Sequence, residues 1–172
     1  MASGFHRIVS TTIALLWLVQ ASIGIDRLPP NARADKVVVF KEKHLLILLE
    51  QDRVLKSYRI ALGGQPRGPK QREGDHRTPE GIYVLDRRND RSRFYRSIHI
   101  SYPNAQDRRN ATSHGVSPGG DVMVHGLPNG MGWIGSAHRA RDWTDGCIAV
   151  TNEEIDEIWR AVLDGTPIEI KP

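Results

Sequence analysis

The chain is nearly without cysteine: Cys147 stands alone among 172 residues. A disulfide within one copy is therefore impossible, although exported domains commonly carry cysteines in bonded pairs. Long hydrophobic stretches are missing too. The one apolar run, Ile8 to Val19, is interrupted by Ser10, Thr11 and Thr12 and falls short of the roughly 20 residues that span a bilayer. There is no internal repeat, no low-complexity segment and no second domain, and the length suits one domain of ordinary size. The formal charge of +4 is scattered rather than striped. Arg87-Arg88 and Arg91 to Arg96 are interleaved with Asp86, Asn89 and Asp90, which reads as a solvated loop surface and argues against a nucleic-acid partner. A compact metal motif is absent as well. His99, His114 and His138 are widely spaced, and Cys147 is their one available sulfur, so no metal is expected.

What is present begins at the N-terminus. Met1 to Arg7 carries one basic residue and no acid, the short apolar run follows, and small residues stand at Ala21, Ser22 and Gly24. That order describes a secretory signal peptide over residues 1–24, with an uncleaved membrane anchor as the alternative. Removing it takes away Arg7 alone, so +4 becomes +3. In an oxidising compartment an unpaired thiol risks oxidation and unwanted exchange; it is tolerable if buried and useful if reactive.

Most of the remaining chain reads as strands. Val37 to Phe40 is β-branched and aromatic. Leu45 to Leu49 and Val54 to Leu62 form the arms of a hairpin with its turn near Gln51-Asp52. Ile82 to Leu85, Ile98 to Tyr102, Asp121 to Val124, Cys147 to Val150 and Pro167 to Ile170 are further strands. Asn104 to Gly120 and Leu127 to Trp143 read as long loops, of the kind that are usually functional. One helix is expected: Thr151 and Glu154 make a capping box, Ile155, Ile158, Trp159 and Val162 recur on one face, and Gly165 caps the end.

Chemistry gathers at Cys147. It follows Gly146 in the run from Asp142 to Val150, and His125-Gly126 lies twenty-two residues upstream at the end of an apolar run. A thiol attacks an acyl group usefully only as thiolate, so it needs a base close by or a lowered pKa. His125 supplies that base if its strand lies beside the one that Cys147 begins. The carbonyl of Gly126 can hold the other ring nitrogen, a role that carboxylates play in other triads. Backbone N–H groups around Gly146 and Cys147 can face a developing oxyanion. Read alone, the pair is equally consistent with a buried structural cysteine beside a core histidine.

The wider pattern resembles the L,D-transpeptidase (YkuD-type) catalytic domain. That family has a His-Gly, a variable loop and then Ser/Thr-x-Gly-Cys-Ile/Val, matched here by His125-Gly126 and by Thr144-Asp145-Gly146-Cys147-Ile148. Leu62-Gly63, the Thr78-Pro79-Glu80-Gly81-Ile82-Tyr83 segment and Ser101 to Asn104 fall in family order. The resemblance implies a mainly β, sandwich-like catalytic domain over residues 36–171, with one C-terminal-half helix and the cysteine in a cleft under loops. It implies an enzyme acting on peptidoglycan stem peptides on the periplasmic or extracellular side. Cys147 would attack the carbonyl of the third residue, a diamino acid, and expel D-alanine. An amine acceptor, either a second stem or a wall-attached protein, would resolve the thioester. Cys147 matches the nucleophile, His125 the base and Gly126 the carbonyl that orients it. No cofactor belongs to this chemistry, and a monomer is expected.

Two departures from the family form bear on substrate placement. Asp145 stands where histidine is common, and Ala149 where an arginine is common. Arg139 or Arg141 could replace that lost cation. Asp145 could position His138, Trp143 or an incoming amine, and Trp143 with Trp133 lies on the loop roofing the cleft. Thr144, Asp145, Trp143 and Arg141 are accordingly the candidate substrate contacts. The rival readings are a hydrolase of the same family, in which water takes the acyl group, and an inactive wall-binding module.

Overall fold

Gln51 and Asp52 both take left-handed backbone angles, φ 51° and 60°, the pair of positive values that lets a two-residue turn match the twist of its strands. They join β2 (Leu45–Glu50) to β3 (Arg53–Arg59), as the sequence pattern predicts. The computed structural model describes residues 27–172; the expected signal peptide, residues 1–24, lies outside them. Among the described residues no helix is long and apolar enough to cross a membrane.

The remaining strands are β1 (Lys36–Phe40), β4 (Gly81–Ser92), β5 (Tyr95–Ile100), β6 (Met123–His125), β7 (Ile148–Ala149) and β8 (Thr166–Lys171). They form one eight-stranded sheet in the order β3-β2-β1-β8-β4-β5-β6-β7. Pairing is antiparallel except at β1–β8 and β6–β7. The second hairpin arm is expected to run on to Leu62, but β3 stops at Arg59 and the chain crosses to the opposite edge. There Ala61 exchanges hydrogen bonds with Ala149, at 3.0 and 2.9 Å, and Gly63 bridges Thr144. The sheet thus curls until its two ends meet. The mainly β expectation holds in the form of one sheet closed over its own core.

Strand alternation fills that core. Val37 and Val39, Leu46 and Leu48, and Ile168 and Ile170 are all buried two residues apart, as a sheet with one inward face requires. Each aliphatic side chain so buried contributes about 1.5–3 kcal/mol. Helix α2 (Asn152–Ala161) lies against the sheet through Ile155 and Ile158, both fully buried. Its capping box is formed as expected: the Thr151 hydroxyl accepts from the Glu154 amide at 3.3 Å, and the Glu154 carboxylate accepts from the Thr151 amide at 2.9 Å. The end differs. Val162, not Gly165, caps the helix, because the Ala34 amide takes the carbonyl of Ala161 and Ala34 bridges Val162.

Helical content exceeds the single helix expected. Helix α1 (Ala105–Ser113) lies inside the segment read as loop, and buries only Ala111. With no apolar stripe to reveal it, its signal was the capping box of Asn104 and Asp107. A 3-10 helix, Gly132–Ala140, occupies part of the second long loop. Finally, Arg87 to Arg96 is no loop: β4 and β5 run through it as a hairpin rich in charged side chains.

Candidate active site

Strands β6 and β7 run parallel, with Val124 opposite Ile148 and His125 opposite Ala149. Cys147 lies two residues before Ala149, so its side chain leaves the same face of the sheet as His125. Side chains so disposed are diagonal neighbours, about 7–8 Å apart at their origins and within reach of a long group. Both line one cleft of about 480 Å3, together with Met123, Phe94 and Trp143.

Three backbone segments fix the cysteine. Gly146 sits at φ 126°, and a Cβ there would lie 2.6 Å from the Arg77 carbonyl oxygen. The Thr144 hydroxyl accepts from the Gly146 amide at 3.2 Å and donates to the Cys147 carbonyl at 2.7 Å, closing the turn from inside. Thr144 is therefore buried with its hydroxyl engaged. The Gly146 N–H is likewise occupied by that hydroxyl, which removes it from the pair of amides expected to face an oxyanion. The thiol itself donates to the Asp121 carbonyl at 3.7 Å.

His125 is 2% exposed. Its Nδ1 lies 2.7 Å from the Gly126 carbonyl; that oxygen can only accept, so Nδ1 carries the proton and Nε2 keeps its lone pair. A Cβ on Gly126 would come 2.8 Å from Asn152 Oδ1, so a glycine is needed for this close packing. Phe94 stacks at 4.4 Å from the imidazole and Trp143 meets it edge-on at 5.8 Å. Burial pulls the His125 pKa down to about 4. The thiol is pushed up to about 11, chiefly by burial; the Asp145 and Asp121 carboxylates add to the rise, while the backbone at Met123 and the ammonium of Lys70 oppose it. At neutral pH the resting pair is therefore thiol and imidazole, both uncharged.

The other candidates scatter. Asp145 lines the cleft, exposed, and pairs with His76 at 2.8 Å rather than with His138 or Trp143. No pattern in the sequence marks His76. Trp143 donates to His138 Nδ1 at 3.4 Å. Arg141 is not on the cysteine cleft: it lines a separate cavity of about 390 Å3 that has Trp143 as the common wall. Arg139 is bound to Glu154. The arginines that do line the cleft are Arg91 and Arg93, from the hairpin that reads as solvated loop in sequence. A further groove of about 550 Å3 runs beside α1 with Lys70 and Asn104 in its wall and holds neither Cys147 nor His125. Among the described residues no three His, Cys, Asp or Glu side chains are grouped to hold a metal ion.

Two buried histidines set an acid limit on the fold. His138, 8% exposed, is also lowered to about 4, by burial and then by the Arg139 charge. Both histidines bind fewer protons folded than unfolded between about 4 and the ordinary 6.5. Stability is therefore full above that window and falls as the pH drops through it, by on the order of 3 kcal/mol per histidine. Urea unfolding at stepped pH is expected to show this fall, and His138→Asn to remove about half of it.

Comparison with known proteins bears on the family and the fold. The YkuD family model, described as L,D-transpeptidase catalytic domain, matches residues 34–170. The chain is 37% identical over 132 residues to Putative L,D-transpeptidase YafK of Escherichia coli (strain K12), covering 73% of this chain and 46% of that protein. Among solved structures, the helical cell shape determining protein Pgp2 (K307A mutant) of Campylobacter jejuni superposes with TM-score 0.63 at 25% identity, over 83% of this chain and 49% of that one. An L,D-transpeptidase of Xylanimonas cellulosilytica shares the fold, with TM-score 0.53 at 18% identity over 83% and 63% of the two chains. The chain thus spans about half the length of YafK and Pgp2.

Proposed function

The chain belongs to the YkuD family of L,D-transpeptidase catalytic domains, and from that premise we propose that it is an exported cysteine acyltransferase of the cell wall. The observation that carries this reading is the shared cleft: Cys147 and His125 leave one face of two paired strands, and Gly126 fixes the imidazole with Nε2 free to take a proton. The donor is a peptidoglycan stem tetrapeptide, met on the periplasmic or extracellular side.

The reaction follows from the uncharged resting pair. As Sγ bonds to the carbonyl carbon of the third residue, its proton passes to His125 Nε2. The Cys147 amide faces the oxyanion, since that of Gly146 is held by Thr144. Collapse breaks the C–N bond, the imidazolium returns its proton to the leaving amine, and D-alanine departs. An acceptor amine then attacks the thioester, giving a proton to Nε2; as the C–S bond breaks, the imidazolium passes that proton to the departing sulfur and the uncharged pair is restored. The desolvated imidazole loses its proton readily, which suits a group that must gain and shed one in each half-reaction.

Intact-mass analysis with a disaccharide-tetrapeptide tests this reading. An acyl adduct on the wild type, absent from Cys147→Ala, with D-alanine released, is the expected result. Adding an amine acceptor should discharge the adduct as a new amide; discharge as free acid alone would make the protein a hydrolase. No adduct and no D-alanine from the folded protein would overturn the tetrapeptide donor and favour a binding role.

A further inference from the structure

The cation common in the family two residues after the cysteine is replaced by Ala149, whose side chain is wholly buried where the sheet closes. No neighbour on that strand can stand in for it. The hairpin across the cleft offers another source. It carries five arginines, and three are paired: Arg87 with Asp121 at 3.8 Å, Arg88 with Asp164 at 2.7 Å, and Arg96 with Asp156 at 2.8 Å. Among the described residues the Arg91 and Arg93 guanidiniums have no such partner, and these are the two that line the cleft beside Cys147.

Arg91 lies on β4, and Arg93 opens the turn between β4 and β5. Ser92 between them is buried and pairs across the hairpin with Tyr95, so Arg91 and Arg93 are held exposed on either side of it. The same cleft is lined by Asp121 and Asp145, both more than four-fifths exposed.

We propose that Arg91 and Arg93 form the carboxylate-reading wall of the cleft, holding the donor through its free carboxylate. A guanidinium is suited to this, since its planar fork meets a carboxylate with two parallel hydrogen bonds. For a stem-peptide donor the assignment rests on the function proposed above. The carboxylate preference itself does not, because it can be read at the thiol without any stem peptide.

Two small alkylating agents read that field without substrate. Iodoacetate and iodoacetamide both modify a thiol, and differ in carrying a carboxylate or a neutral amide. The ratio of their rates on Cys147 is expected to fall about fivefold or more in Arg91→Gln/Arg93→Gln at low salt, with the difference shrinking at high salt. Asp145→Asn should move the ratio the other way. A ratio within about twofold of wild type in the double variant, with its unfolding midpoint unchanged, overturns the proposal. With donor, the double variant should lose its discrimination between a tetrapeptide and the C-terminal amide of that tetrapeptide, through KM more than kcat. Equal discrimination in both proteins also overturns the proposal. Should the wild type release no D-alanine while the alkylation ratio shifts, the stem-peptide donor fails and the carboxylate wall stands.

Discussion

His125→Asn should slow acylation of Cys147 by a tetrapeptide donor by about 10²–10⁴-fold, the span that a positioned general base supplies. Asparagine keeps an N–H that can donate to the Gly126 carbonyl, as Nδ1 does now at 2.7 Å, and deletes the lone pair at Nε2. The size of the effect follows from the thiol. With its pKa pushed up to about 11, only about one thiol in ten thousand is ionised at pH 7. A preformed thiolate–imidazolium pair would make the histidine a counter-ion; here it must accept the proton during attack. The pH dependence separates the two. In the wild type the rate needs neutral imidazole, which persists above about 4, so it should hold steady through neutrality. In His125→Asn the rate should climb about tenfold per pH unit toward the thiol pKa, because the thiolate then forms only by ionisation in solvent. D-alanine release followed from pH 6 to pH 10 measures both slopes. A variant within about threefold of wild type at pH 7, or one without the climb, would remove His125 from the role of base.

How much of this could be read from the residues depends on how local the signal is. The Gln51-Asp52 hairpin, the Thr151 capping box and the strands flanking Cys147 are written in neighbouring residues, and they form where the pattern places them. That Cys147 and His125 share a cleft is offered by one short apolar run that ends at His125 and another that begins at Cys147, together with the wider motif. Helix α1 escaped because its faces are almost wholly polar, leaving nothing periodic to detect. The Arg87 to Arg96 hairpin escaped for the same reason in strand form. Its interleaved charges look like a solvated loop until β5 pairs with β6 and carries Arg91 and Arg93 to the cleft. His76 stands 69 residues from its partner Asp145, and no spacing rule connects them. The closure of the sheet through Ala61 and Ala149 is a property of its accumulated twist, which no single segment encodes.

Gly146→Ala should be the most damaging one-carbon change in the site, reducing stability by roughly 2–4 kcal/mol and donor turnover by about 10²-fold or more. Two separate costs combine. At φ 126° an L side chain is strained whatever space surrounds it, and here there is no space. The added methyl would lie 2.6 Å from the Arg77 carbonyl oxygen, a backbone atom that cannot rotate aside. Nor can the segment retreat, because the His76 carbonyl behind it accepts from the Gln65 amide at 2.9 Å and is crowded against Gly63. Relief therefore comes from Gly146 itself, and that turn carries Cys147. A displacement near 1 Å is enough to cost about a hundredfold when the attacking atom must be aligned. Gly165→Ala isolates the first cost. Gly165 has φ 93°, and a methyl added there would meet nothing within 4 Å, so it bears the conformational strain alone, far from the cleft. Urea midpoints and D-alanine release for the two variants then divide the effect: Gly146→Ala should lose both stability and turnover, Gly165→Ala only some stability. Equal losses of stability, with turnover intact in both, would mean that the Arg77 carbonyl yields and that the cysteine turn is not fixed by this three-segment contact.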